Sequence, residues 1–396
     1  MKPRTITERV TWMGAVDWDR RLFDSLIPLP DGTSYNSYLI EGSEKTALID
    51  TVDPHMKDRL FAQLEDVPHL DYVIAQHAEQ DHSGTLPDIL EMYPEAPVLT
   101  TPKGEEMLTD LLRLPADRIQ SVENGETLSL GDRTLEFIYT PWVHWPETMV
   151  TYLQEEKFLF TCDFFGSHLA TSDLYVVDEA HVTEAAKRYY AEIMMPFRRI
   201  IKRNLDKLAD YDFDTIAPSH GPIYDNPNFI LEAYRHWVSA PPVNKVVFPY
   251  VSMHGSTSVM VTYLVEALVE RGVKVQQFDL TVTDLGKLAM ALVDAATLVL
   301  GTPTVLGSAH PQAAYAASLA TALRPKLEYA TVIGSYGWKG GAVKAIAQMI
   351  EPLHVEILDP VTCAGLPGER EFAALDVLAY TIARKHEENG FLSVGH

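Results

Sequence analysis

Cysteine is almost missing from this 396-residue chain, with Cys162 and Cys363 the only two. Two isolated thiols cannot build a disulfide framework. Without a Cys-x-x-Cys pair they cannot build a thiolate zinc site or an iron–sulfur cluster either. Basic residues are scarce, with 32 Lys and Arg against 55 Asp and Glu for a net charge of -23. That balance argues against general affinity for the nucleic-acid backbone or anionic membranes, so neither partner is expected. No apolar stretch approaches the length that crosses a bilayer, and the opening MKPRTITERV has no apolar h-region. A cytoplasmic address is the expectation. Gly-x-Gly-x-x-Gly and a Walker lysine are also absent, which disfavours dinucleotides and nucleoside triphosphates as ligands.

What is present fits two cores. In the first half, strand patterns run over 37–40, 46–50, 72–76, 134–139, 149–153 and 158–161, interrupted by helical patterns over 86–93, 104–112 and 182–208. Strands and helices in blocks predict a layered α/β sandwich. Near Ser239-Ala240-Pro241-Pro242 the texture changes. Beyond it, apolar strands at 246–251, 275–278, 298–301, 330–334 and 355–358 alternate with helices, the pattern of a doubly wound five-stranded parallel sheet. The predicted domains are therefore 1–241 and 242–396.

The strand pattern over 72–76 runs straight into His77-Ala78-Glu79-Gln80-Asp81-His82-Ser83-Gly84, a loop dense in imidazole and carboxylate. Such density is itself a signal of a metal site, and a solvated acidic turn with helix-capping histidines is the minor reading of the loop. Further along, His144, Asp163 and His220 each fall at the end of a strand pattern. Each alone reads as a loop histidine or an N-cap aspartate. Together they favour a metal site, because strand-end loops of one sandwich converge on one edge.

His77-x-Glu79-x-Asp81-His82 followed by His144, Asp163 and His220 resembles the metal ligands of the metallo-β-lactamase superfamily, across the whole first half. That resemblance implies an αββα sandwich. Zinc hydrolases of the superfamily usually carry histidine where this chain has Glu79, and the added hard oxygen donor favours iron over zinc. The pattern is similar to that of flavodiiron proteins, as are Gly32-Thr33-Ser34-Tyr35-Asn36, His144-Trp145-Pro146-Glu147 and Asp163-Phe164-Phe165-Gly166-Ser167-His168. The resemblance implies two non-haem iron ions, with His77, Glu79 and His144 on one, Asp81 and His220 on the other, and Asp163 bridging. His82 either binds the second iron or turns away.

In the second half, Ser252-Met253-His254-Gly255-Ser256-Thr257 joins a strand to an amphipathic helix, the arrangement that cradles a phosphomonoester on loop amides and a helix N-terminus. An ordinary capped helix start is the competing reading. Pro303-Thr304-Val305 and Ser335-Tyr336-Gly337-Trp338, with Gly340, follow later strands at the same carboxyl edge, where doubly wound folds bind ligands. All three loops resemble the FMN loops of flavodoxins.

FMN and two irons together hold the four electrons that reduce dioxygen to water, and the resemblance implies that activity, reduction of nitric oxide to nitrous oxide, or both. It also implies an external electron donor, rubredoxin or reduced F420, and a head-to-tail homodimer or dimer of dimers. The basic segment Arg198-Arg199-Ile200-Ile201-Lys202-Arg203 offers an acidic donor a local surface, although a solvated helix face is the favoured reading of it. Two other classes compete: a zinc hydrolase with an accessory flavodoxin domain, against which Glu79 speaks, and a non-catalytic flavin electron carrier.

Overall fold

A computed structural model describes residues 2–392. The chain forms two compact units, one of residues up to Tyr190 with Phe197–Val238, the other of Ala191–Pro196 with the chain from Ser239 onward.

The first unit holds two large sheets, with the two-stranded ribbons Ala15–Asp17/Thr33–Tyr35 and Leu22–Phe23/Ile27–Pro28 beside them. One runs in the order β1 (Arg4–Thr5), β2 (Val10–Trp12), β3 (Tyr38–Glu41), β4 (Thr46–Ile49), β5 (Tyr72–Ile74), β6 (Val98–Thr100) and β7 (Ile119–Ser121). It is antiparallel as far as β4 and parallel beyond. The other runs β8 (Thr127–Ser129), β9 (Thr134–Tyr139), β10 (Met149–Leu153), β11 (Phe158–Cys162) and β12 (Thr215–Pro218), antiparallel except where β12 joins β11 in parallel. Ile40, Ile49, Ile74, Phe137, Leu153 and Phe160 from the two sheets form one buried core, which makes the layers a sandwich. A second core lies on the other face of the first sheet, where Leu60 and Leu64 of α1 (Lys57–Leu64) and Leu108 join Leu48 and Val73.

Chain punctuation follows local chemistry. After the single turn α2 (Gln80–Ser83), helix α3 (Leu86–Met92) opens with proline in its first turn. Helix α4 (Pro102–Leu112) does the same and is capped by Thr101, whose side chain accepts from Gly104 N. The helix expected over 182–208 is not continuous. It divides into α5 (Glu179–Tyr189), a π segment (Tyr190–Met194), a short 3-10 turn (Met195–Phe197) and α6 (Arg198–Leu208). Apolar periodicity continues across the break, and Pro196 cannot supply the amide that an unbroken helix would need. Helix α7 (Asn228–Ser239) completes this half of the chain.

The second unit is built on a parallel sheet in the order β14 (Lys274–Asp279), β13 (Val243–Tyr250), β15 (Ala295–Gly301), β16 (Tyr329–Tyr336) and β17 (Glu356–Ile357), with a small antiparallel ribbon, Thr304–Val305 with Ser308–Ala309, apart from it. The order 2-1-3-4-5 is that of the flavodoxin-like fold. The expected fifth strand is split: β17 pairs with the start of β16, and β18 (Val361–Ala364) takes over along its end. Pro360 lies between the two and has no amide to give the ladder. Of its helices, α8 (Ser256–Glu270) and α12 (Glu369–Glu388) pack on one core with Val246, Phe248 and Val299; α9 (Leu285–Leu292), α10 (Pro311–Leu323) and α11 (Ala342–Ile350) complete the unit.

Candidate metal centre and flavin cradle

Sheet direction gathers the first cluster. His77 follows β5, Asp163 follows β11 and His220 follows β12, which is parallel to β11. His144 lies between the antiparallel β9 and β10, at the end where β11 finishes. Met149 N donates to Gln76 O at 3.1 Å, which ties the two sheets together beside the site. Trp142 and Cys162 take left-handed backbone (φ +62° and +49°) just before His144 and Asp163, a conformation that costs a non-glycine residue about 1–3 kcal/mol and is concentrated at functional sites.

Asp163 stands at the centre with its two oxygens facing opposite groups. Its Oδ2 lies 3.4 Å from His77 Nε2 and 3.3 Å from His144 Nε2, and both imidazoles are 3.1 Å from Glu79 Oε2. Its Oδ1 lies 3.0 Å from His82 Nε2 and 3.3 Å from His220 Nε2, and these approach Asp81 at 3.3 Å and 3.2 Å. Ligands about 2.0–2.2 Å from a common ion stand about this far apart. His77, Glu79, His144 and Asp163 could hold one ion, and Asp81, His82 and His220 another. All seven expected residues are thus brought together, His82 with its Nε2 turned inward.

The chemistry of the donors fits metal ions. Both oxygens of Asp81, Oδ1 of Asp163 and both nitrogens of His82 are buried and find no hydrogen-bond partner among the described residues. Close atoms that are not hydrogen-bonded direct their lone pairs at shared points. Bare buried polar groups are costly, and cations satisfy them. The field agrees: burial opposes the charge on His144 and His220, yet Asp163 with Glu79 or Asp81 raises them to about 9 and about 10. Burial also opposes ionisation of Asp163, but His82, His144 and His220 outweigh it and hold its carboxyl well below the usual range.

A second layer fixes the ring orientations. Glu147 Oε1 accepts from His77 Nδ1 at 2.6 Å and from Ala78 N at 2.9 Å. His220 Nδ1 donates to Ser34 O at 2.6 Å. In each case the bond leaves Nε2 to face the cluster. Asn36 fastens the His220 loop, donating to Pro218 O and Gly221 O and accepting from Trp12 Nε1. The sequence reading assigned no role to three neighbours. Asp24, in a left-handed turn (φ +48°), is raised to about 6 by burial and by the charges of Glu79 and Asp81. His168 packs 4.7 Å from His220 and shares a 2.9 Å hydrogen bond with Thr33, while Asp50 accepts from Gln76 behind the loop. Motif spacing carries no signal for contacts between residues this far apart in the chain.

In the second unit a cavity of about 500 Å³ opens at the carboxyl edge, lined by Ser252, Met253, His254, Ser256 and Thr257, by Pro303, Thr304 and Val305, and by Ser335, Tyr336, Gly337 and Trp338. Gly255, in left-handed backbone at φ +91°, turns the chain into α8, and Gly340 lines an adjoining cavity. Thr257 and Ser335 share a 3.0 Å hydrogen bond, and Ser252 Oγ accepts from Ser258 N. Hydroxyls and free amides at a helix start suit a phosphate, and the wider part beside Tyr336 and Trp338 suits a flat ring. Leu306 and Trp338 stand almost fully exposed on its rim.

Comparison with known proteins gives these features a lineage. Residues 33–221 match the ODP family beta lactamase. The chain is 37% identical over 366 residues to the nitric oxide reductase of Moorella thermoacetica, covering 90% of this chain and 92% of that one. Among solved structures it matches the rubredoxin oxygen:oxidoreductase of Desulfovibrio gigas with a TM-score of 0.94 at 30% identity, covering 98% of this chain and 99% of that one. The flavodiiron protein of Giardia intestinalis matches with a TM-score of 0.91 at 26% identity, covering 98% and 97%. With both halves, their order and nearly their full length shared, this chain belongs to the flavodiiron family of A-type flavoproteins.

Proposed function

We propose that this protein is an oxidoreductase that reduces dioxygen to water, nitric oxide to nitrous oxide, or both. Residues 1–241 form the di-iron domain and residues 242–396 the FMN domain. The observation that carries this reading is the position of Asp163 between two donor groups rich in carboxylate and imidazole. His77, Glu79 and His144 would hold one iron, Asp81, His82 and His220 the other, and Asp163 both. Iron pairs with open positions for diatomic ligands supply the reducing chemistry, and FMN supplies two further electrons.

The chain's own groups do the rest. Glu147 and Ser34 O hold two imidazoles in the ring orientation that binding needs. Burial of Asp81, His82, Asp163 and His220 keeps bulk water from that side. Ser252, Ser256 and Thr257 take the FMN phosphate, and Pro303–Val305 with Ser335–Trp338 flank the ring.

Electrons come from an external donor, rubredoxin or reduced F420. Arg199, Lys202 and Arg203 lie exposed on α6 for an acidic donor, although Lys202 also pairs with Asp206 at 2.8 Å. The exposed Leu306, Trp338 and Met253 around the flavin cavity form an apolar rim suited to a second copy, in a head-to-tail homodimer or dimer of dimers. No helix among the described residues is long and apolar enough to cross a membrane, and the cytoplasm is the proposed location.

The deciding experiment measures iron, zinc and FMN per chain and then compares donor-supplied turnover of dioxygen and nitric oxide in parallel. Two irons and one FMN with turnover are expected. Zinc without turnover would leave the hydrolase, and flavin without metal the electron carrier.

A further inference from the structure

A phosphomonoester carries between about one and two negative charges near neutral pH, and this chain would take one up while itself carrying a net charge of -23. The long-range field of the protein opposes such a ligand, and a local cation is the direct remedy. The flavin cavity offers few. Among the described residues that line it there is no Lys, Arg, Asp or Glu, and Lys339 stands exposed one position beyond the lining stretch Ser335–Trp338. Two lining side chains titrate, His254 and Tyr336, and of these two residue types only histidine gains or loses a charge near neutral pH.

His254 sits at the point of the loop where a charge is useful. Ser252 and Ser256 flank it, and Gly255 turns the chain into α8 directly after it. The neighbouring hydroxyls are partly committed: Ser252 Oγ accepts from Ser258 N at 3.1 Å, Ser258 Oγ donates to Gly255 O at 2.7 Å, and Thr257 shares its hydrogen bond with Ser335. The His254 ring is not. It lines the cavity with its residue exposed, and among the described residues no hydrogen bond, ion pair or ring contact holds it. No carboxylate lines the cavity to claim its proton before a ligand arrives.

We propose that His254 binds the FMN phosphate as an imidazolium, so that this loop takes up its cofactor and a proton together and flavin retention is proton-linked. The inference deepens the FMN reading given under Proposed function and rests on it. A hydrogen bond from a charged ring to a phosphate is roughly twice as strong as a neutral one, so the bound phosphate holds the ring in its charged form. The proton comes from solvent as FMN binds. By linkage, affinity falls as pH rises from about 6.5 to about 8.5 and that proton becomes scarcer. The second ionisation of the phosphate, near pH ~6, works in the opposite direction, because a more negative phosphate is a better acceptor for the hydroxyls and amides. The sign of the pH dependence therefore separates His254 from the ligand itself.

The test measures flavin binding to the full chain with its metal centre in place and its flavin removed. FMN should bind about tenfold more weakly at about pH 8.5 than at about pH 6.5, whereas riboflavin, which has the ring without the phosphate, should bind equally at both. Calorimetry at about pH 7.5 in buffers of different ionisation enthalpy should record proton uptake with FMN and none with riboflavin. His254→Gln should bind FMN more weakly at the lower pH and lose both the slope and the proton uptake, and His254→Lys should restore the affinity without the slope. An FMN affinity that is flat or rises with pH, a slope shared by riboflavin or kept in His254→Gln, or binding without proton uptake would overturn the proton link and return His254 to a solvated loop residue, while leaving the FMN domain standing. The comparison of FMN with riboflavin needs no variant, so it decides even where His254→Gln fails to fold. No FMN binding at any pH would overturn the flavin reading and the inference together.

Discussion

Glu147 reaches across 70 residues of sequence to take the Nδ1 proton of His77 at 2.6 Å, and neither side chain has any exposed surface. The same oxygen accepts from Ala78 N, so one carboxylate fixes both the ring and the backbone where the metal loop begins. Truncation to Glu147→Ala should weaken iron affinity about 10- to 100-fold, with Glu147→Gln in between. Chelator competition followed by iron analysis measures it; undiminished affinity in Glu147→Ala would remove Glu147 from the site.

Glu79 is the hard donor that separates this set from the histidine-richer zinc sites. Replacing it, Glu79→His, should shift the metal recovered from iron towards zinc and abolish reductase turnover, while leaving FMN bound. Growth in medium supplying both metals, with elemental analysis of each protein, reports the shift. An iron-only variant with full activity would contradict the assignment.

On the flavin side, the Thr257 hydroxyl is buried and paired with Ser335. Thr257→Val keeps the shape and removes the hydroxyl, so FMN affinity should fall roughly tenfold, the equivalent of about one hydrogen bond to a charged group. Fluorescence titration of flavin-stripped protein gives the two dissociation constants, and identical values would exclude this residue from phosphate binding.

His386 on α12 makes a separate, pH-dependent contribution to stability. Its Nδ1 pairs with Asn244 Oδ1 at 2.9 Å and its Nε2 with Thr297 Oγ1 at 2.7 Å. Asn244 takes the ring's one proton and the Thr297 hydroxyl donates back, which the neutral ring satisfies and the imidazolium does not. Burial accordingly lowers its pKa to about 4. A folded-state pKa below the unfolded one means that stability is complete above the ordinary histidine pKa of about 6.5 and declines as pH falls towards about 4. Thermal melts across that window should show the decline in the wild type and a shallower one in His386→Leu. Equal slopes would refute it.

The metal loop was legible because its donors are contiguous: four of the seven lie between His77 and His82, immediately after a strand pattern. The flavin loops were legible for a similar reason, each being a short polar or glycine-rich break after an apolar strand. Asp24 was not, since its only connection to the donors is spatial; His168 closes the stretch that begins at Asp163, but nothing in that stretch signals its packing on His220. Strands of two or three residues, such as β1 and β7, are too short for alternation to register. The break between α5 and α6 escaped because a π segment shifts the backbone bonding without interrupting the apolar pattern.

The donors come from both layers of the sandwich, His77 to His82 from the loop after β5 in one sheet and His144, Asp163 and His220 from strand ends of the other. A metal pair held there acts as a rivet through the two sheets. Neither sheet alone carries a complete set, so the full donor set exists only once the sheets have closed on each other. Retention of metal under a chelator would then keep time with the opening of the sandwich, and the rate of metal loss would serve as a clock for the slowest breathing motion of this half of the molecule.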